Sequence, residues 1–184
     1  MLGTSREMKR YRDELFAGVG RPVPQQPREL IQALCAHVAA SVGREVRVMF
    51  ESFPADTVSG LWIDMGDFDL IVVEENTSPL HQIVIAAHEL WHRKEAHHGR
   101  PGGHGGHGGL AGDAAARLLG DRWQLADALA HVAARGDVDL DDEERRAETF
   151  GRLVGAKFRP YLGRQGDPAS GEGLVGRIKA SLEG

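Results

Sequence analysis

His88-Glu-Leu-Trp-His92 is the segment of this chain best suited to chemistry. Residues four apart share one face of a helix, so two imidazoles converge on a single ion while Glu89 stands beside it. Zinc suits such a set, because it takes nitrogen and oxygen donors tetrahedrally and leaves one position for water. The ion lowers the pKa of that water, and Glu89 is the expected general base that accepts its proton. With 9 His and 14 Glu in 184 residues, the pattern arises by chance about 0.03 times per chain. Coincidence is therefore a poor explanation.

A three-ligand site needs one more side chain. The acidic run Asp142-Glu-Glu-Arg-Arg-Ala-Glu148 offers Glu144 as the expected third ligand, with Glu143 and Glu148 next in line. Glu148 also lies one turn beyond Glu144, the spacing at which a second carboxylate orients a ligating histidine. Taken alone, the same run suits a helix N-terminus favoured by the macrodipole. Two rival arrangements fail on spacing. His98 follows His92 by six residues, as in metzincins, but Glu95 stands at the glycine position and no methionine follows Met65. Asp137, Asp139, Asp141 and Glu148 imitate a calcium loop, but Asp142 replaces its turn glycine. His97, His98, His104 and His107 read as part of a solvated loop. Trp91 and Cys35 read as core residues, and His37 as an ordinary helix residue satisfied by backbone or water. Tyr161 and His131 are available to stabilise an oxyanion, but spacing favours neither.

The elements that must position these groups follow from periodicity. Leu30, Ile31, Leu34, Cys35, Val38 and Ala39 mark an amphipathic helix from Arg28 to Val42, closed by Gly43. Three β-rich runs follow, Glu45–Phe50, Gly60–Met65 and Asp69–Val73, and predict a small sheet with hairpin connections. Its edge, taken to lie beside Asp69–Val73, is where an extended substrate would add. Ser78 as N-cap and Pro79 at the first helical position start the helix that carries the histidines and runs to His98. Asp113 opens a helical pattern through Trp123, and Asp141 another with Ala147, Phe150, Leu153, Val154 and Phe158 on its apolar side. The expected fold class is α+β: a small β-sheet packed on the active-site helix, with further helices C-terminal to it. Residues 1–27 read as an N-terminal extension and Pro-rich linker, 28–162 as the domain, and 163–184 as a Gly-rich tail with a short helix. A Gly/His-rich loop, 99–112, interrupts the domain.

Composition narrows the function classes. The 41% hydrophobic and 27% charged fractions are those of a folded globular chain. A net charge of −5 argues against a polyanion binder, so no direct nucleic-acid partner is expected. No apolar run reaches the roughly 20 residues of a membrane span, and the N-terminus lacks a signal-peptide core. One cysteine fits a reducing, cytoplasmic setting.

Two separate motifs in order resemble the ImmA/IrrE family of zincin-like metallopeptidases. The likeness runs from Gly60 through Ile71-Val-Val and Thr77-Ser-Pro-Leu-His-Gln82 to His88-Glu-Leu-Trp-His92, and resumes at Glu144-Arg-Arg-Ala-Glu-Thr-Phe-Gly151. Trp91, Glu148 and Gly151 stand where that family usually has a small residue, Asn or Asp, and Ala. The resemblance implies a gluzincin-type site with His88, His92 and Glu144 on Zn2+ and Glu89 as general base. It also implies a cytoplasmic regulator acting on or with an Xre-type helix-turn-helix repressor, in a toxin–antitoxin-like or stress-response pair. The leading expectation is a zinc metallopeptidase that hydrolyses a peptide bond in a protein substrate. The alternative is a non-catalytic zincin-fold protein that controls a transcriptional regulator by binding alone.

Overall fold

A computed structural model describes residues 2–53, 58–99 and 140–163. The Gly/His-rich stretch after Gly99, the helical pattern through Trp123 and the segment after Gly163 lie outside the described residues. Helix α1 spans Leu2–Gly18 and α2 spans Pro27–Val42. Strands β1 (Val46–Glu51), β2 (Gly60–Asp64) and β3 (Asp69–Glu74) follow. Helix α3 covers Pro79–Gly99 and α4 covers Leu140–Phe158, with a single 3-10 turn, Arg159–Tyr161, after it. No described helix is long and apolar enough to cross a membrane. The architecture is mixed α+β, as the order of patterns predicts.

Local chemistry sets the helix ends. Ser78 accepts the His81 backbone N–H on its hydroxyl at 3.3 Å, and Pro79 opens α3 with a preset φ. Gly43 closes α2 with φ +68°, a left-handed conformation that side-chain-bearing residues resist.

The sheet has the order β1-β3-β2, with β1 parallel and β2 antiparallel to β3. Only β2 and β3 form a hairpin. The strand at Asp69–Val73 is thus the centre of the sheet, not its edge. It pairs on both sides because its run Leu70-Ile-Val-Val73 is apolar on both faces, the pattern of a strand covered on each side. Among the described residues β1 and β2 are the edges.

One face of the sheet packs on the helices through Val46, Trp62, Ile71 and Val73; Leu61, Ile63, Leu70 and Val72 form a second apolar cluster on the other. The N-terminal segment belongs to the main core, because α1 buries Met8, Tyr11 and Leu15 in it. Tyr11 stacks on Phe150 of α4 at 5.2 Å between ring centres. Lys94 of α3 pairs with Glu7 of α1 and lies over the Tyr11 and Trp91 rings. Trp91 and Cys35 are buried as expected. Burial pushes the Cys35 thiol up to about 12, which leaves it protonated and unreactive. His37 lies on α2, as expected, against α1. Its ring lies where a Cβ on Gly18 would stand, and its Nε2 is buried with no hydrogen-bond partner among the described residues.

Leu15→Ala tests the docking of α1. Truncating this fully buried side chain is expected to lower unfolding free energy by about 2–5 kcal/mol in urea titration. A loss near zero would mean that α1 does not contribute to the core.

Candidate metal centre

Helix α3 presents different stripes to different neighbours. Leu80, Val84, His88 and His92 recur every four residues and face α4. Ile85, Glu89, Arg93 and His97 form the adjacent stripe and face the sheet. The i, i+4 rule that places the two histidines together also places Glu89 and Arg93 together, one residue round the helix.

The histidines meet α4 because α4 comes close. A Cβ on Gly151 would stand 2.7 Å from the Val84 carbonyl oxygen, and one on Gly155 2.7 Å from Val84 Cγ2. Neither glycine has one, and Ala147, a turn earlier, is fully buried. This small-residue stripe brings the N-terminal part of α4 over the His88–His92 face. His88 Nε2 lies 3.1 Å from Glu144 Oε1, and His92 Nε2 lies 3.4 Å from Glu144 Oε2. The two Nε2 atoms are 3.0 Å apart. A tetrahedral ion with bonds of about 2.0–2.1 Å holds its donors roughly 3.3 Å apart. The three side chains therefore form a group that could hold a metal ion with little adjustment.

Burial is graded across the site. Glu89 and His92 are buried, the His88 side chain is 16% exposed, and that of Glu144 is 46% exposed. One side of the group thus faces the core and the other opens outward. Hydrogen bonds from His88 and His92 hold the Glu144 carboxyl far below the usual glutamate range. Glu89 Oε1 lies 4.0 Å from His88 Nε2, beside the ligand atoms and not among them. Gly60 of β2 makes room for it: a Cβ there would stand 2.8 Å from Glu89 Oε1 and 2.5 Å from Ile85 Cγ2. Nearby, Arg146 of α4 pairs with Glu95 of α3 at 3.2 Å. Burial raises the Glu95 pKa, with Arg146 opposing and Glu143 adding to the rise.

The structure thus brings together His88, His92 and Glu144, with Glu89 alongside. Glu148 is not brought to either histidine. Its carboxylate pairs with Arg152 at 2.8 Å, and both side chains are at least half exposed. Glu144, and neither Glu143 nor Glu148, completes the metal-binding group. Tyr161 packs on Phe16, 5.5 Å between ring centres. It lies 17 residues past Glu144, at the far end of a helix that rises about 1.5 Å per residue, and so is remote from the site. His131, Asp137 and Asp139 lie outside the described residues.

A second group, Asp64, Asp69 and His97, has donors as close together. It does not fit a cation, because guanidinium groups already fill it. Arg93 Nε donates to Asp69 Oδ2 at 2.7 Å and Arg44 Nε at 3.1 Å, while Arg44 also pairs with Asp64. Gly60, Asp69, Arg93, Gly151 and Gly155 were not recognised by function from the sequence. The available signals were a glycine opening a strand, a charge at i+4 from Glu89, and the small residues at 147, 151 and 155.

Comparison with family models, curated proteins and solved structures yields no match. Fold and site stand on their own: an α+β domain with a His-His-Glu group between two helices that could hold a metal ion.

Two outcomes are expected. Gly151→Ala forces the helices apart, and overpacking of about 1–3 kcal/mol corresponds to a roughly 5- to 150-fold loss of zinc affinity in competition titration. The intrinsic helix preference of alanine offsets the stability change, so the effect appears in metal binding more than in Tm. Acid releases the metal through the imidazoles, since Glu144 stays ionised. Zinc affinity falls as the pH is lowered, because an imidazole must be unprotonated to ligate the ion. Affinity that stays flat from pH 7 to pH 5 would rule out the two-histidine site.

Proposed function

We propose that this chain is a zinc metallopeptidase of the zincin type that hydrolyses a peptide bond in a protein substrate. The observation that carries this reading is the convergence of three donor side chains at 3.0–3.4 Å with a buried carboxylate beside them. His88, His92 and Glu144 would hold the ion; two imidazoles and one carboxylate are a donor set that zinc favours. A zinc ion there supplies Lewis acidity toward the scissile carbonyl and toward a water.

The remaining work falls to the chain. Glu89 accepts the proton of the attacking water on its carboxylate and returns it to the leaving amine. Its burial against Gly60 keeps bulk water from competing for that proton. The edge of β2 starts at Gly60, in contact with Glu89, so an extended polypeptide adding to β2 passes beside the reacting groups. The likeness to the ImmA/IrrE family points to a cytoplasmic regulator whose substrate is an Xre-type helix-turn-helix repressor.

Zinc content of untagged protein tests the reading. About one zinc per chain is expected in the wild type, with loss in His88→Ala and in Glu144→Ala. Glu89→Gln is expected to keep the zinc while losing cleavage of a candidate repressor. A wild type that takes up no zinc after supplementation overturns the proposal. Cleavage that survives Glu89→Gln removes Glu89 as the base.

A further inference from the structure

Asp69 is fully buried and ionisable, and it accepts from four side chains on three separate parts of the fold. Its Oδ2 takes Arg93 Nε of α3 at 2.7 Å and Arg44 Nε, just before β1, at 3.1 Å. Its Oδ1 takes Trp62 Nε1 of β2 at 3.1 Å and faces His97 Nε2 of α3 at 3.4 Å. The strand register sets Asp64 directly opposite Asp69, a like-charge pair that is destabilising by itself. Arg44 spans the two, so Asp64, Asp69, Arg44 and Arg93 together carry no net charge.

This cluster lies on the sheet-facing stripe of α3. Glu89 meets Gly60, Arg93 meets Asp69 and His97 meets Trp62, each four residues beyond the last. The same stripe that carries the proposed general base is therefore pinned one and two turns further on. Apolar contacts tolerate sliding and rotation, whereas a buried carboxylate with directional donors does not. Rotating α3 by one residue would carry Arg93 off Asp69 and Glu89 off Gly60 together.

We infer that Asp69 is a positioning residue: through Arg93 and Trp62 it fixes the rotation of α3 against β2, and so the place of Glu89 beside the metal-binding histidines. This rests on the peptidase reading for the role of Glu89, though the placement itself does not depend on a bound metal. Asp69 touches no reacting atom.

The test compares Asp69→Asn and Arg93→Met with Leu15→Ala, which lowers stability from the far side of the core. Arg93→Met cuts the tie to α3 while leaving Asp69 on Arg44 and Trp62, so it guards against misfolding of Asp69→Asn. Two readouts are taken: the Gly60 amide resonance in metal-free protein, and the pH midpoint of the visible absorption of the cobalt(II)-loaded chain. The expected result is that both readouts move in Asp69→Asn and Arg93→Met, the midpoint in the same direction as in Glu89→Gln, and that neither moves in Leu15→Ala. If the two variants merely lower Tm and leave Gly60 and the midpoint at wild-type values, Asp69 is only a stabilising residue and the inference is overturned. Should the wild type take up no cobalt, the peptidase reading falls. The Gly60 comparison in metal-free protein then still decides the role of Asp69.

Discussion

Where α4 crosses α3, hydrogen atoms stand at positions 151 and 155 in place of side chains, and the Val84 carbonyl and methyl groups fill that space. Helix axes normally pack about 8–10 Å apart, at a distance set by the side chains at the contact. Gly151 and Gly155 leave room for the Val84 backbone and side chain at this crossing. The carboxylate of Glu144 sits partly exposed near the N-terminal end of α4, and its reach is short. Contact with both imidazoles thus depends on backbone approach further along the helix. The His88–His92–Glu144 group follows from this packing, whereas Glu148 pairs with Arg152.

A close helix pair fixes distance but not rotation. Rotation of α3 is settled on its other side, where the sheet meets the stripe through Ile85, Glu89, Arg93 and His97. Buried ion pairs contribute little net stability, because desolvation offsets most of the Coulomb gain, yet breaking one costs about 3–5 kcal/mol. Such a pair discriminates strongly between one arrangement and its neighbours. Arg93 and Asp69 stand in that position, and Lys94 with Glu7 ties the opposite side of α3 to α1. The helix that carries His88, Glu89 and His92 is held from the sheet, from α1 and from α4 at once.

Strand order matters for access. An extended chain can add only at an edge, and β3 is paired on both sides. With β3 central, the edge on the active-helix side is β2, whose first residue lacks a side chain where Glu89 lies against it. The parallel pairing of β1 with β3 produces this order. A chain read as two successive hairpins places β2 in the middle, since period-two patterns record which face is apolar and not which strand pairs with which.

The sequence alone determined the elements and the pairing of His88 with His92 on one helix face. The Ser78-Pro79 start of α3, the Gly43 stop of α2, the three strands and the apolar side of α4 are local, and they were legible because caps and periodicity act within a few residues. His88, Glu89 and His92 were legible for the same reason, their geometry being set within one helix. Glu144 was a choice among carboxylates that only the α3–α4 crossing could make. The docking of α1, the central place of β3, the displacement of Glu148 and the hub at Asp69 depend on residues dozens of positions apart. No local pattern encodes those distances; they are fixed only when close backbone approach and buried charge pairing select one packing of elements that the sequence had already written.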